Sequence, residues 1–343
     1  MRILSAHEVA ELLDYASCIA AVETAFGEHG HGESDDPAVC AVHVAGGGFH
    51  VKAAALETGR HYFAAKVNAN FPSNPFRYGL PTIQGVVALF DASRGEPLAL
   101  LDSIEITTLR TAAASAIAAR LLAMPDAATL LVCGCGNQGR AHLRAMLGVR
   151  PLRRVLAYDP NAARLADFIR DVTRETGIEI TPVADMSDAL PGCYIAVTCT
   201  PARTVVVSAG DVRPGQFIAA VGADSEGKQE LDPRVLADCR VVADLADQAA
   251  TIGELQHAIA ANLMRIEDLH AELGQIIAGQ RPGRTTADQI FVFDSTGHGV
   301  AGCRGGCHGL PACARGRKGP GIIAGRSLRC SIRRCSHSRC SPR

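Results

Sequence analysis

A chain of 343 residues is long enough for two domains that each have a hydrophobic core. The composition is 48% hydrophobic and 20% charged, and no apolar run approaches the roughly 18 residues of a membrane helix, so we expect a soluble protein. Residues 301–343 contain nine Arg and one Lys but no Asp or Glu, whereas residues 1–300 are acidic and show no nucleic-acid footprint. The first residues lack a basic segment and a cleavage site, so a cytoplasmic location is expected.

The predicted elements begin with a helix, because Ser5 and Glu8 form a capping box ahead of an apolar run. Short β-rich runs separated by Gly, Pro and Asn follow between Val39 and Asp91, which predicts a mainly antiparallel layer. We expect residues 1–115 to form this first domain.

A long helix is predicted over residues 107–124, where TTLRTAAASAIAARLLAM contains no Gly or Pro and Pro125 stops it. Strands and helices alternate after it, which is typical of a parallel, doubly wound sheet. The predicted fold class is therefore α/β, with a Rossmann-type doubly wound parallel sheet over residues 116–290 and a β-rich α+β domain before it.

A glycine-rich turn carries the strongest chemical signal. In LLVCGCGNQG, the residues Gly134, Gly136 and Gly139 form G-x-G-x-x-G between a predicted strand and a predicted helix. The first Gly permits the tight turn, the second permits close approach of a pyrophosphate, and the third permits close packing of helix and strand. Asp159 ends the next strand, where a carboxylate accepts the ribose hydroxyls and repels a 2′-phosphate. The predicted cofactor is NAD.

Three further motifs lie outside the glycine-rich turn. They are Lys66 in YFAAKVNANFPSNP, Arg110 in TTLRTAAAS and Asp224 in AVGADSEGKQEL. Together with the turn and the late FVFDSTG, they make the chain resemble the ornithine cyclodeaminase, alanine dehydrogenase and μ-crystallin family over about residues 1–297. The resemblance implies that the first domain binds substrate and forms a homodimer, and that residues 291–297 return to it.

The resemblance also implies roles for individual residues. Lys66 and Arg110 would hold a substrate carboxylate, Arg110 through its bidentate fork, and Lys66 would act in catalysis with Asp224 as the acid/base group. The reacting substrate would be a small amino or imino acid, and no metal is expected. The expected contacts with NAD, in addition to the glycines and Asp159, are Thr111, Asn137, Gln138, Thr200, Val221, Gly222 and Ser295.

The sequence departs from the cyclodeaminase pattern at two positions. Ala38 stands near the point where those enzymes carry another carboxylate-binding Arg, and Lys52 can substitute for that Arg if its side chain points inward. His50 stands where such an enzyme has a Glu. We include Lys52 and His50 among the substrate-binding candidates. Both departures weaken the case for ornithine and fit a cyclic imine such as Δ1-pyrroline-2-carboxylate at least as well.

Three functional hypotheses follow. The leading one is an NAD-dependent cyclodeaminase, a lyase that converts ornithine to proline and ammonia. The nearest alternative is a Δ1-pyrroline-2-carboxylate reductase or an amino-acid dehydrogenase. A non-catalytic binding protein like μ-crystallin is the third, and the retention of Lys66, Arg110 and Asp224 argues against it.

The family resemblance ends after Gly297. Residues 298–343 are rich in Arg, Cys and Gly without helical periodicity, and their like charge predicts disorder. Codons can be chosen for His298 onward that, read one base later, spell the TALQDVAAA helix of relatives, so we interpret the tail as the product of a frameshift. Its Cys and His residues lack the paired spacing of a zinc module.

Overall fold

Two β-sheets carry the fold in the computed structural model, which describes residues 1–32, 38–57 and 60–297. The predicted disordered tail, residues 298–343, lies outside the described residues. The first sheet is built almost entirely before residue 103 and the second almost entirely after residue 128. This division confirms the predicted combination of a β-rich layer and a doubly wound parallel sheet.

The first sheet has six strands in the order β1-β6-β5-β4-β3-β2. β1 pairs with β6 in parallel and the other neighbours are antiparallel, as predicted for this layer. Two neighbouring strands at one edge of the layer, β1 and β6, were not predicted. The strands are β1 (Arg2–Leu4), β2 (Ala38–Val44), β3 (Gly47–Glu57), β4 (His61–Asn70), β5 (Ile83–Asp91) and β6 (Glu96–Asp102).

Strand register gives this sheet two different faces. Lys52 of β3 lies directly opposite Lys66 of β4, which in turn lies opposite Val87 of β5, so these side chains share one face with the buried Ala54 and Ala64. We call this the inner face, and the opposite one the outer face. The helices near this sheet are α1 (Ala6–Leu12), α2 (Tyr15–Gly30) and α3 (Asn74–Arg77).

The long helix α4 (Ser103–Leu122) connects the two sheets. It begins four residues before the predicted start, because the side chain of Asp102 accepts a hydrogen bond from the amide of Ile104 at 2.8 Å and caps the helix. Its Ala-rich surface is buried on nearly every side, and it packs against β5 of the first sheet and β12 (Phe217–Ala220) of the second. Residues on α4 can therefore face the region between the sheets.

The second sheet has eight parallel strands in the order β15-β14-β16-β12-β10-β7-β8-β9. The chain runs outward from β7 through β8 to β9 and then returns to β10 on the other side of β7. The switch in strand order therefore lies between β7 and β10, and ligands of doubly wound sheets bind at the carboxyl edge of such a point. The strands are β7 (Thr129–Cys133), β8 (Arg154–Tyr158), β9 (Ile180–Pro182), β10 (Ile195–Thr198), β12 (Phe217–Ala220), β14 (Arg240–Ala243), β15 (Ala271–Glu272) and β16 (Phe291–Asp294).

Helices cover both faces of this sheet, and a separate parallel pair joins β11 (Arg203–Val207) to β13 (Gln229–Leu231). The helices are α5 (Asn137–Leu147), α6 (Ala162–Thr176), α7 (Met186–Ala189), α8 (Pro233–Asp238), α9 (Ala246–Ile252), α10 (Leu255–Ala260) and α11 (Leu273–Ile277). β16 lies inside the second sheet between β12 and β14, and residues 295–297 continue from it to the inner face of the first sheet. The predicted domain limits, after residues 115 and 290, stay a prediction.

Candidate active site

The glycine-rich turn has the geometry that its sequence predicts. Gly134 follows β7 with φ of +100°, a conformation that other residues rarely adopt. A Cβ on Gly139 would lie 2.1 Å from the Gly134 carbonyl oxygen, so helix and strand pack too closely for a side chain. A Cβ on Gly136 would meet no protein atom within 4 Å. The turn is therefore closed toward the protein at Gly139 and open at Gly136, where α5 presents its N-terminal amides.

Asp159 lies beside this turn, directly after β8. Its carboxylate is buried and accepts hydrogen bonds from the backbone amides of Cys135 at 3.0 Å and Asn161 at 2.8 Å. The Arg164 guanidinium lies 3.5 Å away. Two backbone bonds therefore fix the carboxylate next to the glycine-rich turn, where an adenosine ribose would lie.

The other predicted cofactor contacts lie along the same carboxyl edge. Thr200 follows β10, Val221 and Gly222 follow β12, and Ser295 follows β16. The amide of Val221 donates to the carbonyl of Thr198, and the amide of Ser295 to that of Ala220, both at 2.9 Å. These bonds continue the parallel ladders for one residue beyond the strands.

The first residues of α5 and the nearest part of α4 complete this set. Asn137 and Gln138 open α5, and the side-chain oxygen of Gln138 is buried without a hydrogen-bond partner. Thr111 on α4 is buried, and its hydroxyl donates to the carbonyl of Thr107 at 2.7 Å. The predicted cofactor residues that follow β7, β8, β10, β12 and β16 thus lie along one edge, and the open turn, helix amides and buried carboxylate fit a dinucleotide.

Three cations converge where the inner face of the first sheet meets the end of the second. Lys66 and Arg110 are 7% and 8% exposed, and Lys52 lies opposite Lys66 in the sheet. The ammonium of Lys52 points inward and donates to the carbonyl oxygen of Gly297 at 2.5 Å. The inward orientation is the one that a substitute for the missing Arg near Ala38 requires.

Burial weakens the charged forms of two of these groups, Lys52 and Arg110. Burial, followed by repulsion from Arg110, lowers the pKa of Lys52 from 10.5 to about 8, although the nearby carboxylates of Asp244 and Asp224 oppose the shift. Burial also lowers the pKa of Arg110, again opposed by Asp244 and Asp224. A carboxylate that entered this region would be attracted by charges that are poorly solvated.

Asp224 lies at the border of the site and is the most accessible of the predicted catalytic groups. Its side chain is 44% exposed and lies 2.5 Å from the ammonium of Lys228, with which it forms an ion pair. His50, half-buried on the inner face, is close enough for Asp224 to oppose the burial that lowers the pKa of this imidazole. The structure therefore brings Asp224, His50 and Lys52 to one place from separate parts of the sequence.

Asp244, after β14, organises the segment that faces Lys52. Its carboxylate accepts hydrogen bonds from the hydroxyl of Thr296 at 2.7 Å and from the amide of Gly297 at 2.5 Å. A Cβ on Gly297 would lie 3.0 Å from a guanidinium nitrogen of Arg110, so Gly at this position allows Arg110 to approach. Asp244 thus supports both cations electrostatically and shapes the wall beside them.

Sequence reasoning missed several buried polar groups behind the site. Asp244 lies in a run that predicts a strand, and Glu230 lies in the motif that contains Asp224, so neither was identified as a functional residue. His142 is fully buried on α5, bonded to Ser115 at 3.0 Å and to the Gln138 carbonyl at 2.8 Å, and burial lowers its pKa to about 4. His142 stands at helical spacing from the buried Ala145 and Met146, and this spacing is the sequence signal that could have placed it on the buried face of α5.

Within residues 1–32, 38–57 and 60–297, no group of three or more His, Cys, Asp or Glu side chains could hold a metal ion. Over the same ranges, no helix is both long enough and apolar enough to span a membrane.

The fold and the site define a doubly wound, dinucleotide-binding class of protein with a cationic pocket from a second sheet. Within this class, the chain belongs to the ornithine cyclodeaminase/mu-crystallin family, whose model matches residues 1–302. An alanine dehydrogenase of Archaeoglobus fulgidus is 35% identical over 297 residues, 86% of this chain and 89% of that protein. These matches confirm the family predicted from Lys66, Arg110, Asp224 and the glycine-rich turn.

Solved structures are similar over nearly the whole described chain. An archaeal alanine dehydrogenase dimer with bound NAD has a TM-score of 0.87 at 32% identity, covering 92% of this chain and 96% of that one. The Δ1-pyrroline-2-carboxylate reductase of Thermococcus litoralis, solved with NADH and L-proline, has a TM-score of 0.88 at 29% identity, covering 92% and 98%. Both likenesses support the predicted fold class.

Proposed function

We propose that this protein is an NAD-dependent oxidoreductase that transfers a hydride to or from the α-carbon of a small amino or imino acid. The observation that carries the proposal is the convergence of Lys52, Lys66 and Arg110 with Asp224 beside the carboxyl edge of a dinucleotide-binding sheet. This edge supplies a cofactor site, and the three cations supply a site for the substrate carboxylate.

The cofactor would lie along the turn between β7 and α5. The amides at the start of α5 and the open position at Gly136 receive the pyrophosphate, and Asp159 accepts the ribose hydroxyls. Thr111, Thr200, Val221, Gly222 and Ser295 form the remaining contacts. When bound, NAD accepts a hydride from the α-carbon of an amino acid, and NADH supplies one to the α-carbon of an imine.

The chain's own residues would hold the substrate and move a proton. Arg110 and Lys66 bind the carboxylate, with Lys52 as a third cation, because a planar carboxylate accepts charge-assisted hydrogen bonds from all three. Asp224 donates a proton to the substrate nitrogen during imine reduction and accepts it in the reverse reaction. Its exposure allows it to exchange this proton with solvent.

The charge of the site favours imine reduction or amino-acid oxidation over cyclodeamination of a diamino acid. Lys52, Lys66, Arg110 and Lys228 outnumber the nearby carboxylates of Asp224 and Asp244, and His50 adds no negative charge. A second ammonium group on the substrate would face this excess of positive charge. Cyclodeamination of ornithine remains the second candidate, favoured by the family to which the chain belongs.

Three substrates separate these candidates. Purified protein is assayed for NADH oxidation with Δ1-pyrroline-2-carboxylate and with pyruvate plus ammonia, and for proline formation from ornithine with catalytic NAD. We expect stoichiometric NADH oxidation with at least one of the first two. Proline formed only from ornithine, without net change in NADH, would favour the cyclodeaminase, and NADH binding without any turnover would favour a binding protein.

Asp224 can be tested against a neighbour in the same loop. Asp224→Asn should lower kcat by about 10²-fold or more with NADH binding retained, because general acid catalysis contributes about 10²–10⁴-fold. Glu226→Gln removes an exposed carboxylate two residues away and should leave kcat unchanged. Equal rates for Asp224→Asn and the wild type would remove Asp224 from the proton-transfer step.

We further propose that two copies of the chain form a homodimer through the outer face of the first sheet. Val42, Phe49, Phe63, Val67 and Val86 share this face by register and are 37–50% exposed. A contiguous apolar sheet face is typical of a protein–protein interface. The similar archaeal alanine dehydrogenase, a dimer, supports a second copy as the occupant.

A further inference from the structure

A buried carboxylate, Glu230, joins three segments at the carboxyl edge of the second sheet. Its Oε1 accepts a hydrogen bond from the amide of Thr200 at 2.6 Å. Its Oε2 accepts from the amide of Gly222 at 2.8 Å and from the hydroxyl of Thr198 at 2.7 Å. The side chain is 0% exposed, so a single buried group ties the ends of β10 and β12 to β13.

The same carboxylate closes the loop that carries Asp224. This loop runs from Gly222 to Glu230, and the bond between the Gly222 amide and the Glu230 side chain joins its two ends. Inside the loop, the amide of Asp224 donates to the carbonyl of Gly222 at 3.1 Å, and Asp224 pairs with Lys228. The position of Asp224 relative to Thr200 and Gly222 therefore depends on Glu230.

The packing around Glu230 leaves little room for this arrangement to shift. A Cβ on Gly222 would lie 2.3 Å from the Glu230 carboxyl carbon and 2.4 Å from the Thr200 carbonyl oxygen. Burial raises the pKa of Glu230, and its hydrogen bonds to Thr198, Thr200 and Gly222 offset part of this rise. These three donors stabilise the ionised carboxylate in a place that would otherwise disfavour it.

A second buried carboxylate, Glu254, provides a matched control. It accepts hydrogen bonds from the amides of Glu230 at 2.7 Å and Leu231 at 3.1 Å, and so secures β13 from α10. Burial raises its pKa to about 9, and because both of its oxygens accept from amides, a glutamine there loses one bond, as at Glu230. Glu254 shares the burial and the strand contact of Glu230, but its hydrogen bonds go to β13.

We propose that Glu230 is a positioning residue that couples the cofactor-binding segments at Thr200 and Gly222 to the proton-transferring Asp224. The inference rests on the proposed function of Asp224. Glu230 acts through the two amides that it holds, which set where the cofactor segments and the Asp224 loop lie relative to each other. A displacement of about 1 Å at such a site lowers the rate by about 10²-fold.

The test compares Glu230→Gln with Glu254→Gln. Both oxygens of Glu230 accept from N–H groups, so a glutamine there must place its NH2 group against one of them and lose that bond. We expect Glu230→Gln to raise the dissociation constant of NADH about tenfold, since an unsatisfied buried donor has an effect of this order. We also expect a fall in kcat of about 10²-fold. Glu254→Gln should change both values by less than about twofold, whatever its effect on Tm.

A purely structural role for Glu230 gives a different pattern. In that case, Glu230→Gln and Glu254→Gln would show equal NADH dissociation constants and equal kcat values at temperatures well below their Tm, and the proposal would be overturned. If wild-type protein binds NADH but turns over no substrate, the proposed function fails, and the ratio of the two NADH dissociation constants alone decides the role of Glu230.

Thr198→Val serves as a milder variant if Glu230→Gln does not fold. It removes the hydroxyl that orients Oε2, so the carboxylate that holds both amides is positioned less firmly, and valine has nearly the same volume as threonine. We expect a loss in kcat/KM of about threefold to tenfold, consistent with one hydrogen bond. A kcat/KM equal to that of the wild type would contradict the proposal.

Discussion

Replacement of Lys52 with methionine is expected to stabilise the protein and to reduce its activity. Lys52 is held among Arg110, Lys66 and the Gly297 carbonyl, and burial lowers its pKa from 10.5 to about 8. This difference corresponds to about 3 kcal/mol by which the folded protein disfavours the ammonium form. Methionine keeps the length of the side chain and removes the charge.

The pH dependence of this effect has a definite sign. The unfolded chain keeps Lys52 charged up to about 10.5, and the folded chain only up to about 8. The penalty is therefore fully present below pH 8 and disappears as the pH rises toward 10.5. Lys52→Met should raise the free energy of unfolding by up to about 3 kcal/mol at pH 7 and by much less at pH 10.

The substitution should lower the activity at the same pH at which it raises the stability. In the wild type, kcat/KM for an anionic substrate should fall as the pH rises through about 8, because the free enzyme loses the ammonium. Lys52→Met should lose about tenfold or more in kcat/KM at pH 7. Lys52→Arg should keep substrate binding, and its kcat/KM should no longer fall as the pH rises through about 8. Urea unfolding at pH 7 and 10 and steady-state assays from pH 6.5 to 9.5 measure both effects. A ratio of Lys52→Arg to wild-type kcat/KM that stays constant over this range would refute the reasoning, since substrate ionisation is common to both proteins.

Three further changes test other parts of the site and the assembly. Asp159→Ala should raise the KM for NADH about tenfold and reduce discrimination against NADPH, measured as the ratio of kcat/KM values; an unchanged ratio would contradict the role of the carboxylate. Gly139→Ala should destabilise the protein by about 1–3 kcal/mol, whereas Gly136→Ala should keep its Tm and weaken NADH binding, and the reverse pattern would contradict the assigned geometry. Val67→Lys should convert a dimer to a monomer, measured by light scattering, while Val205→Lys, at a similarly exposed position elsewhere, should not, and two dimeric variants would argue against the outer face.

The elements that repeat a local pattern could be predicted from the sequence. The capping box at Ser5 and Glu8 forms as expected, with the Ser5 amide 2.8 Å from the Glu8 carboxylate. The three glycines between β7 and α5 lie in the turn that their spacing indicates. In both cases, the interacting groups lie within a few residues of each other, so the local sequence determines the geometry.

The contacts that depend on strand register or on distant segments could not be predicted. Lys52 was equally compatible with solvent and with the site, and only the pairing of β3 with β4 places it beside Lys66. The bonds of Glu230 to Thr198 and of Asp244 to Gly297 join residues 32 and 53 positions apart. Nothing in the local sequence around these carboxylates specifies such partners. The partners meet only because the fold brings the ends of separate strands together.

Transfer of deuterium from NADH labelled at C4 tests the central claim most directly. Wild-type protein is incubated with Δ1-pyrroline-2-carboxylate, or with pyruvate and ammonia, and each of the two C4-labelled epimers of NADH, and the product is analysed by mass spectrometry and NMR. The account predicts that one epimer places a single deuterium on the α-carbon of the product amino acid, and that Asp224→Asn slows this transfer while still binding the cofactor. An amino acid formed without deuterium at the α-carbon from either epimer would contradict it.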